Sequence, residues 1–184
     1  MERRDLLRAL GAVAAFTLMP RTAQAAWETV AAAPHAPPRA LVDERSVLVS
    51  SLADAIIPRT DLPGATDVGV TAFIDVIVAE YYNDDERAVF LSGLDAIGAR
   101  VTLTGATSLA EMTPEGRTTL LDSLDRPVDR QAPEARAWSR LKGLVIHGYF
   151  TSERVQKDVL KTVIMPGRFD GNAPMKAANG GSDG

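Results

Sequence analysis

The chain contains no cysteine. Disulfides, thiolate zinc sites, cysteine-held iron–sulfur clusters and a haem attached through CxxCH are therefore all excluded. Histidine is almost as scarce, with only His35 and His147 in 184 residues. They are far apart and lack HxxxH or HExxH spacing, so they make a poor metal site. His35 lies in an Ala/Pro-rich stretch and is expected in solvent. His147 is the sole candidate for a Ser-His-Asp arrangement, and no nucleophile elbow marks a partner for it. No run of clustered Lys and Arg is present, and the net charge is −4. An acidic chain without a basic stripe is unsuited to nucleic acid or to docking on anionic lipid. GxGxxG after a strand and GxxxxGK[ST] are both missing, so neither a dinucleotide nor a nucleotide phosphate has a cradle. Strand-like alternation is missing as well.

What the chain does have begins at residue 1. "MERRDLLRALGAVAAFTLMP" places Arg3 and Arg4 directly before an apolar run, Ala9 to Met19. At about 1.5 Å rise per residue, those 11 residues are too short for a bilayer core of about 30 Å. They fit the apolar region of a signal peptide, and Ala23-Gln24-Ala25 has the small-x-small form of a cleavage site. Arg3, Arg4, Leu6 and Leu7 resemble the twin-arginine export signal, although Glu2 stands where Ser or Thr is usual. That route carries folded proteins to the periplasm, so the translocase is an expected partner. Removing residues 1–25 takes away four arginines and two carboxylates, and −4 becomes −6.

Ala26 to Val42 reads as an Ala/Pro-rich linker, with Trp27 loosely held. From Asp43 onward the apolar spacing is helical. Asp43 is placed to cap a first helix carrying Leu48, Leu52 and Ile56, which Pro58 ends. "PRTDLPGATDVG" is a loop with Pro63-Gly64 as its turn. A second helix is expected over Val70 to Tyr82, with Asp75 and Glu80 on its solvated face. Asn83 and Glu86 form a capping box for a third helix, with Phe90, Leu94, Ile97 and Val101 inward. Thr113-Pro114-Glu115 starts a fourth, with Leu120, Leu121 and Leu124 as its stripe. A fifth runs through Trp138, Leu141 and Val145 to about Gly148. Ser152 is placed to cap a last one, Glu153 to about Val163. The expected architecture is all-α: one compact domain of five to six short helices over 43–171, after a signal peptide at 1–25 and a linker at 26–42. Residues 172–184 have little to bury and are expected to be a disordered tail.

Three segments carry a resemblance: "LADAIIPRTDLPGATDVGVTAFID", "GYFTSE" and "PGRFDG". Together with the leader they resemble the gluconate 2-dehydrogenase subunit 3 family, the small subunits of periplasmic flavin-dependent sugar and polyol dehydrogenases. After "TSE" the run "RVQKDVLKTVIM" departs from the Gly- and aromatic-containing stretch of many relatives. The resemblance implies a noncatalytic small subunit that assists assembly and co-export of a large FAD subunit of the glucose–methanol–choline type. It also implies a cytochrome c subunit, carrying haem c, as a frequent third member, through which the complex can be held at the inner membrane. This chain would bring no cofactor of its own. Candidate interface residues are Pro58, Pro63 and Gly64 in the loop, Tyr149 and Phe150 together, and Pro166, Gly167 and Phe169 near the end. The competing expectation is a stand-alone periplasmic enzyme or small-ligand binder, which needs a pocket with convergent polar groups.

Overall fold

The computed structural model describes residues 20–33, 36 and 39–161. Arg3, Arg4, Leu6, Leu7, the apolar run, His35, Pro166, Gly167, Phe169 and the tail at 172–184 lie outside the described residues. Within them the secondary structure is helical, with no strand. Helix α1 covers Pro20–Ala32 and α2 Glu44–Ile56. A 3-10 turn at Thr66–Val68 leads into α3, Val70–Val76, which widens into a π turn at Ile77–Tyr81. Helices α4 (Asp84–Thr102), α5 (Pro114–Asp125) and α6 (Pro133–Thr151) follow, and a π turn at Val155–Val159 ends the described chain.

The long α6 is the hub, packed most extensively on α4 and also against α1, α2, α3 and α5. Trp138, Leu141, Leu144, Val145 and Tyr149 face that core, at helical intervals. From α4, Phe90, Leu94, Ile97 and Val101 meet them, all at 3% exposure or less. The two helices approach closely at Gly93. A Cβ placed there would lie 2.4 Å from both the Ala137 Cβ and the Pro133 carbonyl oxygen.

The local signals in the sequence work as written at two helix starts. Asn83 Oδ1 accepts from the Glu86 N–H at 2.8 Å, and the Glu86 carboxylate accepts from the Asn83 N–H at 3.2 Å. The Thr113 hydroxyl accepts from Gly116 N–H at 3.1 Å, with Pro114 at the first helical position. The carbonyls left over where α3 ends are taken by Arg87, which donates to Val78, Ala79 and Tyr82.

Elsewhere the structure corrects the expectation. Asp43 makes no side-chain cap for α2; it turns the chain at φ 49°, a conformation non-glycine residues seldom adopt. The turn directly follows a clamped segment, because Asp75 is not on a solvated face. It is 7% exposed, and its carboxylate accepts the backbone N–H groups of Arg39 at 2.8 Å, Ala40 at 2.8 Å and Leu41 at 2.7 Å. Leu41 is thereby held in the core, fully buried. Glu80 pairs with Arg39 on the same segment.

Ala26 to Ala32 are helical rather than linker, and Trp27 is fixed. Its indole stacks on Phe73 with centroids 5.0 Å apart and donates to the Thr151 hydroxyl at 3.0 Å. Helix α6 runs three residues past Gly148, so Tyr149 and Phe150 sit on a helix and not at a break. Ser152 does cap the next turn, accepting from Val155 N–H at 3.4 Å, but that turn is a π turn ending at Val159.

Candidate functional site

The loop after α2 is shaped by its own composition. Pro58 stops the helix, and the Ala65 N–H returns to the Ile57 carbonyl at 3.0 Å, closing the loop at its neck. Side chains of Thr and Asp then take up the backbone donors that a turn leaves free. Asp67 accepts from Gly64 N–H at 2.9 Å, and Asp54 accepts from Thr66 through both its N–H and its hydroxyl. At the tip, Thr60 and Leu62 bond one another, N–H to carbonyl at 3.0 Å and N–H to hydroxyl at 3.3 Å. Gly64 is buried beneath the tip, where a Cβ would meet Arg59 N at 2.9 Å.

This loop is fastened to the far end of α6. The Tyr149 hydroxyl donates to the Pro63 carbonyl at 2.8 Å across 86 positions of sequence. Burial raises the Tyr149 pKa above the ordinary phenol value, with Arg154 opposing, so the hydroxyl keeps its proton as donor. Arg154 donates to the Asp67 carbonyl at 3.1 Å, and Arg59 pairs with the Asp67 carboxylate at 3.2 Å. The structure therefore brings Pro58, Pro63, Gly64, Tyr149 and Phe150 into one region. Their parts differ. Tyr149 is 5% exposed and acts as the buttress, with Phe150 edge-on to it at 5.3 Å and half-buried. The exposed surface is the tip, Pro58 to Leu62, with Leu62 49% exposed.

Within the Pro58–Gly69 loop, itself a candidate, sequence reasoning did not single out Leu62 or Asp67, and it missed Arg154. Asp67 had a signal, an aspartate three residues after a turn glycine. Arg154 had none, since its partner is 87 positions away.

The remaining candidates fall elsewhere. His147 is on α6, half-buried and tilted against Phe73 at 6.1 Å, and burial lowers its pKa below the ordinary imidazole value. Trp138 is core, with its indole N–H on Asp125 at 2.6 Å. Ala23 and Ala25 lie within α1, the first buried and the second half-buried. A groove of about 900 Å³ crosses the outer side of α6 towards α4 and α5. Arg140 pairs there with Glu86, and Lys142 with Asp125 beside Trp138, while Asp85, Arg130 and Arg136 also line it. Among the described residues no cluster of three or more metal-binding side chains occurs, and no helix is long and apolar enough to cross a membrane.

A family model described as Gluconate 2-dehydrogenase subunit 3 matches residues 43–167, a span that contains the loop, its buttress and helices α2 to α6. No curated protein and no solved structure matches the chain.

Proposed function

The chain belongs to the gluconate 2-dehydrogenase subunit 3 family, and from that premise we propose that it is the noncatalytic small subunit of a periplasmic, FAD-dependent sugar or polyol dehydrogenase. In this reading it folds with a large flavoprotein of the glucose–methanol–choline type and carries the export signal for both. The flavin, and haem c where a cytochrome subunit is present, belong to those partners. The observation that carries the reading is the family match, which covers nearly all of the helical domain.

Two features support it. Arg3 and Arg4 stand before a short apolar run, in the form of a signal used for folded cargo. A carrier with no cofactor to protect would need that route only on behalf of a companion. The second feature is the loop from Pro58 to Gly69. The N–H groups of Thr60, Leu62, Gly64, Ala65 and Thr66 are bonded within the loop or to its neck, and Tyr149 pins it to α6, so it presents a fixed tip with Leu62 exposed beside Arg59 and Asp61, at little further ordering cost. Fixed loops on a helical scaffold are where recognition resides.

The test is to co-express the full chain with the proposed flavoprotein subunit, with Arg3 and Arg4 intact or both changed to Lys. Dehydrogenase activity should move from the periplasmic to the cytoplasmic fraction in the altered strain. Unchanged periplasmic activity would refute the carrier role. In the same system Leu62→Asp should weaken copurification of the two chains while leaving the far-ultraviolet circular dichroism of this chain intact.

A further inference from the structure

The expected processing site is part of a folded helix. Ala23-Gln24-Ala25 lies in the first half of α1, and α1 packs on α3 and α6. Ala23 is 2% exposed and Ala26 is fully buried, so the small residues on both sides of the scissile bond face the core. The Ala25 carbonyl, which a protease must polarise, accepts the Thr29 hydroxyl at 3.1 Å. Two residues after the bond, Trp27 stacks on Phe73 at 5.0 Å and donates to Thr151 at 3.0 Å. Thr151 is itself fixed by donating to the His147 carbonyl at 2.7 Å.

Hydrolysis of the Ala25–Ala26 amide adds one water and yields an Ala25 carboxylate and an Ala26 ammonium. Segments open to proteolytic nicking are exposed and weakly held. Neither condition is met by a helix with a buried face. Cutting must therefore wait for α1 to leave its seat, and the rate follows the population of that open form.

We propose that α1 is a self-docked helix that closes the Ala23-Gln24-Ala25 site in the folded chain, with Trp27 as its latch on Phe73 and Thr151. A chain exported already folded then arrives with this site shut, and removal of the leader is governed by release of α1. The inference takes the position of the bond from the leader reading, while the closure itself is a property of the isolated chain.

The test uses purified full chain and pancreatic elastase, which cuts after small residues, with cleavage at Ala25–Ala26 followed by mass spectrometry. A synthetic peptide of residues 16–36 is the open reference. The bond in the folded chain should be cut on the order of 100-fold more slowly than in the peptide. Trp27→Ala should accelerate it about tenfold and Thr151→Val a few-fold, since stacking and one hydrogen bond are lost separately. Circular dichroism of each variant separates release of α1 from global unfolding, and Thr151→Val serves if Trp27→Ala does not fold. Equal rates for chain and peptide, or unchanged rates in folded variants, would overturn the proposal. Because the assay involves no translocase and no flavoprotein, its outcome is independent of whether the partner reading holds.

Discussion

Replacing Asp75 tests the fold where the structure departs furthest from a surface role. Its carboxylate holds three backbone N–H groups: Oδ1 takes those of Ala40 and Leu41, and Oδ2 takes that of Arg39. In Asp75→Ala the buried Leu41 N–H loses its carboxylate acceptor, at a cost of about 2 kcal/mol. The Arg39 and Ala40 donors are partly buried and can be rehydrated, so about 1 kcal/mol each is appropriate. The expected loss is about 4 kcal/mol, a large share of the roughly 5–15 kcal/mol that holds a domain together. In Asp75→Asn the amide oxygen can keep Ala40 and Leu41, while the NH₂ group opposes the Arg39 donor; about 2 kcal/mol is expected. Urea unfolding of the full chain, followed by circular dichroism, reads both. With a slope of about 2 kcal/mol/M, the midpoint should fall by about 2 M for Ala and about 1 M for Asn. A loss below about 1 kcal/mol for Asp75→Ala, or equal losses for the two variants, would refute the clamp.

Gly93→Ala forces a methyl carbon to within 2.4 Å of Ala137 Cβ and the Pro133 carbonyl. Neither is the flexible end of a side chain, so α4 and α6 must part, at about 3 kcal/mol in the same urea assay. His147 supplies a pH dependence. Burial lowers its folded pKa, so between the folded value and the unfolded value of about 6.5 the unfolded chain binds more protons. Its contribution is full above that unfolded value and declines as pH falls towards the folded one. The stability of His147→Gln should therefore decline less steeply than wild type on acidification below about pH 6.5. Parallel pH profiles would show that burial of the imidazole has no such effect.

The parts of this fold legible in the sequence are those whose cause is local. The stripe Phe90, Leu94, Ile97, Val101 and the Asn83–Glu86 box each lie within one helix, and both appear as read. Thr113-Pro114 starts α5 for the same reason. Asp75 was not legible, because helical spacing places it opposite the apolar stripe while its partners lie 34 to 36 positions away. Trp27 was obscured differently. An Ala/Pro-rich stretch beside a cleavage signal reads as linker, and the Phe73 ring that fixes the indole belongs to another helix. At the candidate site, the turn chemistry of Pro63-Gly64 announced a loop of fixed shape. That Tyr149 would hold the loop up from beneath, instead of offering its ring to a partner, depended on a contact across the chain.

The central claim is that this polypeptide serves a flavin enzyme without carrying the flavin. The most direct measurement is the visible absorbance of two preparations, the full chain expressed alone and the same chain purified together with the proposed flavoprotein subunit. The account predicts a colourless first preparation, unable to oxidise any sugar, and a second with the absorbance of a bound flavin and sugar-dependent turnover. A flavin spectrum or sugar oxidation from the chain alone would contradict it.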